Sequence, residues 1–160
     1  MIRAAEAGDA RDIAAIYNHY VAQTVITFEE EAVADAEMAR RIAAITERYP
    51  WLVLEQDGGI AGYAYASAWH YRSAYRHSVE TTIYCDRASL GRGVGRQLYT
   101  ALIDRIRRDG YHCAIASIAL PNDASVALHE RLGYRMVGQF RELGYKLERW
   151  IDVGYWELLL

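Results

Sequence analysis

Four groups of residues in this 160-residue chain have the types and spacing that chemistry requires. The first is Leu90-Gly91-Arg92-Gly93-Val94-Gly95-Arg96. Its alternating glycines let a backbone turn tightly and approach a ligand with no Cβ in the way. The run that follows predicts a helix, whose first N–H groups lack intrahelical partners and carry the positive end of its dipole. A strand ending at Cys85, a glycine loop and a helix start make either a phosphate cradle or a bare turn. The second group is Glu80 in Ser78–Cys85, where alternation puts Glu80, Thr82 and Tyr84 on one face. A partly buried carboxylate there is a candidate general base; the bland alternative is a solvated strand glutamate. The third is Asn122 with Ser125, Val126 and His129, a polar stripe one and two turns apart on a helix that starts at a strand's C-terminal end. It is either a ligand-facing side, as α/β sheets often place there, or an N-cap plus a surface histidine. The fourth is the loop Trp69–His77, where His70, Arg72, Arg76 and His77 stand among aromatics such as Tyr75. Arg forks fit carboxylates and phosphinates two-pronged, so the loop either grips an anionic small molecule or makes solvated ion pairs.

The glycine loop fits neither familiar nucleotide signature. A Walker loop ends in Gly-Lys-Ser/Thr, which is absent, and a dinucleotide fold opens a βαβ unit with Gly-x-Gly-x-x-Gly and an acid about 20 residues later. Here the spacing is Gly91-x-Gly93-x-Gly95 after a run of hairpin-like strands. The remaining reading is the pyrophosphate of another cofactor, with coenzyme A as the candidate.

The elements that must position these groups follow from periodicity. Ile2–Ala4 reads as a short strand. Asp9 is a fair N-cap for a helix with Ile13, Ile16, Tyr17 and Tyr20 on one stripe, and Asp35 for a second helix running to about Arg48. Val21–Glu31 is irregular. Trp51–Gln56 and Ile60–Trp69 are strands about the turn Asp57-Gly58-Gly59. A helix with Val94, Leu98, Leu102 and Ile106 on one face ends at Gly110, and Cys113–Leu120 is a central strand. In the helix after Pro121, Ala124, Ala127, Leu128 and Leu132 form the side expected to pack on the sheet. Tyr134–Phe140 and Trp150–Leu159 are the last strands, joined by a polar loop. The order β-α-α-β-β-β-α-β-α-β-β predicts one α/β (α+β) domain over residues 1–160, a mixed sheet flanked by about four helices.

Composition narrows the function classes. A net charge of −3 argues against a general nucleic-acid binder. No apolar run approaches the roughly 18–20 residues that cross a bilayer, and the N-terminal residues lack the apolar core of a signal peptide. Cys85 and Cys113 read as buried free thiols, which suits a reducing cytoplasm.

These residues together resemble the GNAT superfamily of acetyl-CoA-dependent N-acetyltransferases, and within it the phosphinothricin and methionine sulfoximine N-acetyltransferases. The resemblance covers nearly the whole chain. It is carried by Asn18-His19-Tyr20, Arg48-Tyr49-Pro50-Trp51-Leu52-Val53, Ala61-Gly62-Tyr63-Ala64-Tyr65-Ala66, Arg72-x-Ala74-Tyr75, Glu80-x-Thr82 and the glycine loop. It continues through Leu120-Pro121-Asn122-Asp123-x-Ser125-Val126-x-Leu128-His129-Glu130-x-Leu132-Gly133-Tyr134 and Trp150-x-Asp152-Val153-Gly154-Tyr155-Trp156.

The resemblance implies a mostly antiparallel sheet that splays after its fourth strand and admits acetyl-CoA. Backbone groups of Ile83, Tyr84 and Cys85 would pair with the pantetheine arm, amides of Gly91, Arg92, Gly93, Val94, Gly95 and Arg96 would hold the pyrophosphate, and Asn122 would help bind the cofactor. Glu80 matches the base that deprotonates the acceptor amine for direct attack in a ternary complex, with no metal required. His70, Arg72, Tyr75, Glu80 and Thr82 fall at acceptor-binding positions, for a small anionic amino acid. Two residues depart from the wider superfamily. Leu90 stands where many members have Gln or Arg, so the cradle would rest on backbone amides. His129 stands where many have a tyrosine acid, as in the phosphinothricin branch. A homodimer is implied, with Val21–Glu31 reaching a partner or covering the pocket. Other implied readings are an acetyltransferase of a different small amine or protein N-terminus, and a GNAT module that senses acetyl-CoA without transfer.

Overall fold

The run Trp51-Leu52-Val53-Leu54 has no polar residue, and both of its faces are covered. In the computed structural model, which describes Met1–Leu160, these residues belong to β2 (Trp51–Gln56). Successive strand side chains point to opposite faces. Trp51 and Val53 therefore pack with α1 (Ala10–Gln23) and α2 (Asp35–Thr46). Leu52 and Leu54 pack on the other side with Leu98, Leu102 and Ile106 of α3 (Val94–Arg108). A strand buried on both faces has no place for alternation, which explains its unbroken apolar character.

The other elements are β1 (Ile2–Ala4), β3 (Gly59–Ala68), β4 (Ser78–Cys85), β5 (Cys113–Leu120), α4 (Asp123–Arg131), β6 (Arg135–Lys146) and β7 (Arg149–Leu159). One seven-stranded sheet runs in the order β1-β2-β3-β4-β5-β7-β6. Every neighbouring pair is antiparallel except β4 with β5. That parallel pair matters most for function. It is matched only over Ser78–Glu80 against Cys113–Ile115, after which the two strands part. From Thr81 to Cys85, β4 keeps its β3 partner and has open space on its other edge. The expected mixed, splayed sheet with four α-helices is the one observed.

Several local expectations are corrected. Asp9 makes no cap bond to α1. Its carboxylate instead accepts from Glu6 N and from the Arg3 guanidinium, tying the chain start to the 3-10 turn Ala7–Asp9. Asp35 is the first residue of α2 with Ala34 at the cap, and the helix ends at Thr46 rather than near Arg48. The thiols of Cys85 and Cys113 are free but half-buried.

The polar loop expected between the last two strands is strand for most of its length. β6 runs on to Lys146, and the reversal is the pair Leu147-Glu148, both at positive φ (51° and 59°). Such a two-residue turn usually carries Asn or Gly, so its sequence gave no turn signal. A register shift between Phe140 and Gly144, with Glu142 at φ 53°, bends the ribbon over the end of the cavity.

Candidate active site

The opening between β4 and β5 leads into a cavity of about 420 Å³. Glu80 stands where the strands part, and Thr81, Thr82, Ile83 and Tyr84 line one wall. Ser117, Ile118 and Ala119 of β5 line the opposite wall, with Asn122, Ser125 and His129 of α4 above them. The far end is closed by Ile26, Thr27 and Phe28 from the segment after α1 and by Leu143, Val153 and Tyr155 from the β6–β7 ribbon.

Glu80 is half-buried, and Ser117 Oγ donates to its Oε1 at 3.0 Å. Burial pushes its carboxyl above the ordinary 4.5, with the Ser117 bond opposing. A carboxylate raised in this way is a better proton acceptor than a solvated one, and no Lys or Arg lines the cavity to quench it.

His129 is 2% exposed, the one buried residue of α4. The helix side expected to pack on the sheet is only partly covered, and Ala124 is exposed. The polar side faces inward because the space beneath it is the cavity, where Ser125 gives Asn122 a partner and Ser125 and Tyr99 give His129 its partners. Asn122 caps the helix, its Oδ1 accepting from Ser125 N at 3.2 Å. His129 Nδ1 lies 2.7 Å from the Ser125 carbonyl, and Nε2 lies 2.9 Å from the Tyr99 hydroxyl. Burial holds the imidazole below its ordinary 6.5, against the pull of the Ser125 carbonyl. The ring is therefore neutral at neutral pH.

Tyr99 was not singled out by sequence. It reads as another apolar position of α3, and its hydrogen-bond partner lies 30 residues away on α4. Its ring meets that of His129 edge-on at 4.8 Å, and His129 meets Tyr134 the same way at 5.1 Å. Lys146 was also missed, in a stretch read as loop. It is 2% exposed and donates to Thr27 O at 2.8 Å, behind the cavity wall.

The glycine loop lies at the exposed start of α3. Gly91 and Gly93 adopt φ of 74° and 79°, which side-chain-bearing residues rarely take. Gly93 occupies the cap position, and the first intrahelical bond is Gln97 N to Gly93 O. The amides of Val94, Gly95 and Arg96 are thus left without an intrahelical carbonyl. A Cβ on Gly95 would sit 3.2 Å from Leu128, so glycine also lets α4 come close. Leu90 is 59% exposed, and Arg92 pairs with Asp57. Ile83 and Tyr84 line the cavity, while the Cys85 carbonyl already accepts from the Tyr20 hydroxyl at 2.6 Å.

The aromatic and cationic loop behaves differently. His70, Arg72 and Tyr75 are exposed, and none lines the cavity. Their link to it is Trp69, whose ring meets Tyr155 edge-on at 6.1 Å. No group of His, Cys, Asp and Glu is arranged to hold a metal ion, and no helix is long and apolar enough to cross a membrane.

Residues 2–154 match the family model described as an acetyltransferase (GNAT) domain. A phosphinothricin N-acetyltransferase of Streptomyces viridochromogenes is 41% identical over 156 residues, spanning 98% of this chain and 85% of that protein. An L-methionine sulfoximine/L-methionine sulfone acetyltransferase of Salmonella typhimurium is 37% identical over 160 residues, spanning 99% and 94%. Among solved structures, a phosphinothricin acetyltransferase from Sinorhizobium meliloti in complex with acetyl-CoA superimposes with a TM-score of 0.96 at 39% identity, covering 100% of this chain and 88% of that one. The chain belongs to the GNAT family, and it is an N-acetyltransferase of that family.

Proposed function

We propose that the protein transfers the acetyl group of acetyl-CoA to the amine of a small anionic amino acid, of the phosphinothricin, methionine sulfoximine or methionine sulfone type. The observation that carries this reading is the cavity entering the sheet where β4 and β5 part, with the half-buried carboxylate of Glu80 at the parting. Relatives at 41% and 37% identity acetylate compounds of this class, which supports the acceptor assignment.

Acetyl-CoA is a co-substrate, and the residues present suit it. The unpartnered amides of Val94, Gly95 and Arg96, with the backbone of Gly91–Gly93, would hold the pyrophosphate. The open edge of β4 at Ile83–Cys85 would take the pantetheine arm and offer an N–H to the developing oxyanion. Asn122 would contact the cofactor at the start of α4. Glu80 would take a proton from the acceptor ammonium, so that the free amine attacks the thioester carbonyl directly.

The acceptor's negative group needs a cation, and none lines the cavity. Arg72, with His70 and Tyr75, would provide it from the exposed loop before β4, and Thr82 would face the acceptor beside Glu80. We assign the protein to a homodimer, in keeping with the exposed apolar side chains Phe140, Tyr145 and Trp150 of the β6–β7 ribbon. Sedimentation at micromolar concentration checks this, with a monomer as the contrary result.

Release of coenzyme A thiol from acetyl-CoA, measured across a panel of amines, tests the function. Turnover with phosphinothricin, methionine sulfoximine or methionine sulfone at kcat/KM well above other amines supports it. Preference for a protein N-terminus or an uncharged amine moves the acceptor class. Calorimetric binding of acetyl-CoA with no thiol release from any amine identifies a sensor instead.

A further inference from the structure

The proton on His129 can be placed from its neighbours. A carbonyl oxygen only accepts, and Ser125 O lies 2.7 Å from Nδ1, so Nδ1 carries the proton of the neutral ring. Nε2 then has a single in-plane lone pair, and Tyr99 Oη occupies the hydrogen-bonding position in front of it at 2.9 Å. The Tyr99 hydroxyl must therefore donate to the ring. With its hydrogen turned to His129, the Tyr99 oxygen offers only lone pairs to the cavity that it lines. In this arrangement His129 has no proton to give from Nε2, and Tyr99 is poised to accept one from the cavity while handing its own inward.

We propose that Tyr99 and His129 form a single relay that carries a proton from the attacking nitrogen to the departing sulfur. The proposal rests on the acetyl-transfer reading above. Glu80 removes one proton from the acceptor ammonium, and the amine forms the N–C bond. Its nitrogen is left positive, with one proton too many. Tyr99 Oη takes that proton as its original hydroxyl proton passes to His129 Nε2, giving an imidazolium held by Ser125 O and Tyr99. The C–S bond breaks with its electron pair on sulfur. The path then runs in reverse: His129 returns a proton to Tyr99, and Tyr99 gives one to the thiolate. The amide and the free thiol leave, one proton remains on Glu80 for solvent, and Tyr99 and His129 end as they began. Nothing is oxidised or reduced.

The two residues suit each other for this task. Burial pushes the phenol of Tyr99 well above 10, so a free phenolate is avoided by moving both protons together. Burial also disfavours the imidazolium, so His129 holds the proton only briefly. The pair is braced by Tyr134, whose hydroxyl is 2.9 Å from Thr81 Oγ1 and whose ring abuts His129.

Single-turnover acetylation in mixtures of H2O and D2O tests the relay on the unaltered protein. Two protons in flight give a curved dependence of rate on deuterium fraction, and a straight line overturns the proposal. Tyr99→Phe should lower kcat by about a hundredfold and straighten that dependence, with the acetyl-CoA Kd within about twofold. Adding His129→Gln should slow it no more than about threefold further, because the two residues act as one unit. Independent, multiplying losses overturn the relay. Nitrogen-15 shifts of His129 need no turnover: Nδ1 protonated and Nε2 bare, with Nε2 shifted in Tyr99→Phe, is the expected result. The opposite tautomer overturns the relay even where acetyl transfer holds. Absence of thiol release with every amine defeats the acetyl-transfer reading instead.

Discussion

Helix α3 serves the two ends of the site by different means. At its start, Gly91 and Gly93 are exposed and the helix presents backbone, the amides of Val94–Arg96 that have no intrahelical partner, while the Val94 side chain is buried. About a turn and a half later, Tyr99 is fully buried and presents one hydroxyl to one imidazole nitrogen. Under the proposed function the first end would bind through groups that every residue carries, and so would tolerate sequence change wherever φ allows. The second end depends on side-chain identity. Binding and chemistry should therefore separate under mutation, and the sharpest separation is expected at Glu80.

Glu80→Gln should lower kcat/KM at neutral pH by about 10²- to 10⁴-fold, the usual worth of a general base, with acetyl-CoA affinity unchanged by calorimetry. The wild-type kcat/KM should fall as pH drops through the Glu80 pKa, which lies above 4.5, and the glutamine variant should lose that limb. Stability should move the opposite way. A folded-state pKa above the unfolded one favours the native protein below the unfolded value, and that advantage is lost as pH rises through the folded value. The variant should consequently melt above the wild type at neutral pH, and the gap should close as pH falls below 4.5. Scanning calorimetry against pH reads the sign. A lower neutral-pH Tm for the variant contradicts the burial argument.

Gly93→Val tests the backbone end. A β-branched residue at φ 79° costs about 1–3 kcal/mol, and the helix start must shift to relieve it. Acetyl-CoA should bind about tenfold more weakly, corresponding to about 1.4 kcal/mol, while kcat at saturation stays within about threefold. A kcat loss like that of Glu80→Gln would show that the two ends of α3 are not separable.

Gly144→Ala probes the far end of the cavity, where we expect the acceptor. A Cβ at this position would lie 2.4 Å from the Phe28 ring, and both Phe28 and its neighbour Thr27, which Lys146 holds, line the cavity. Displacing Phe28 should raise the acceptor KM about fivefold and leave the acetyl-CoA KM unchanged. Steady-state kinetics with each substrate varied separately decides it.

The same contrast explains what was legible in the sequence. Backbone devices announce themselves: glycine spacing marked the tight loop ahead of α3, where Gly91 and Gly93 take positive φ, and apolar periodicity gave the order of every strand and helix. Side-chain partnerships between distant elements do not. Tyr99 is an ordinary member of an apolar stripe until α4 brings His129 to its hydroxyl. Lys146 reads as loop because a buried lysine beside a backbone carbonyl has no local signature. The inward face of α4 is illegible in the sequence for a related reason. Apolar spacing marks the dry side of a helix, but here the inward side meets an open cavity, and its residues are Asn122, Ser125 and His129. The exposed loop around Arg72 is a further case, since its chemistry is plain and its distance from the cavity is not.

The smallest expected effect lies at Leu90. Its side chain is exposed and carries no donor, and the proposed cradle would bind through amides that Leu90 does not supply. Leu90→Gln adds one solvent-exposed hydrogen-bond donor beside the proposed phosphate site. Such a bond exchanges with water and is worth about 0.5 kcal/mol at the low end of the usual range. Acetyl-CoA should therefore bind about two- to threefold more tightly, with kcat and acceptor KM unchanged. A gain of a hundredfold would mean that the backbone amides contribute little and that the cradle had lost its main contact at Leu90. A gain near twofold fixes the opposite conclusion: at this end of α3 the main chain does the binding, and the side chain is an accessory.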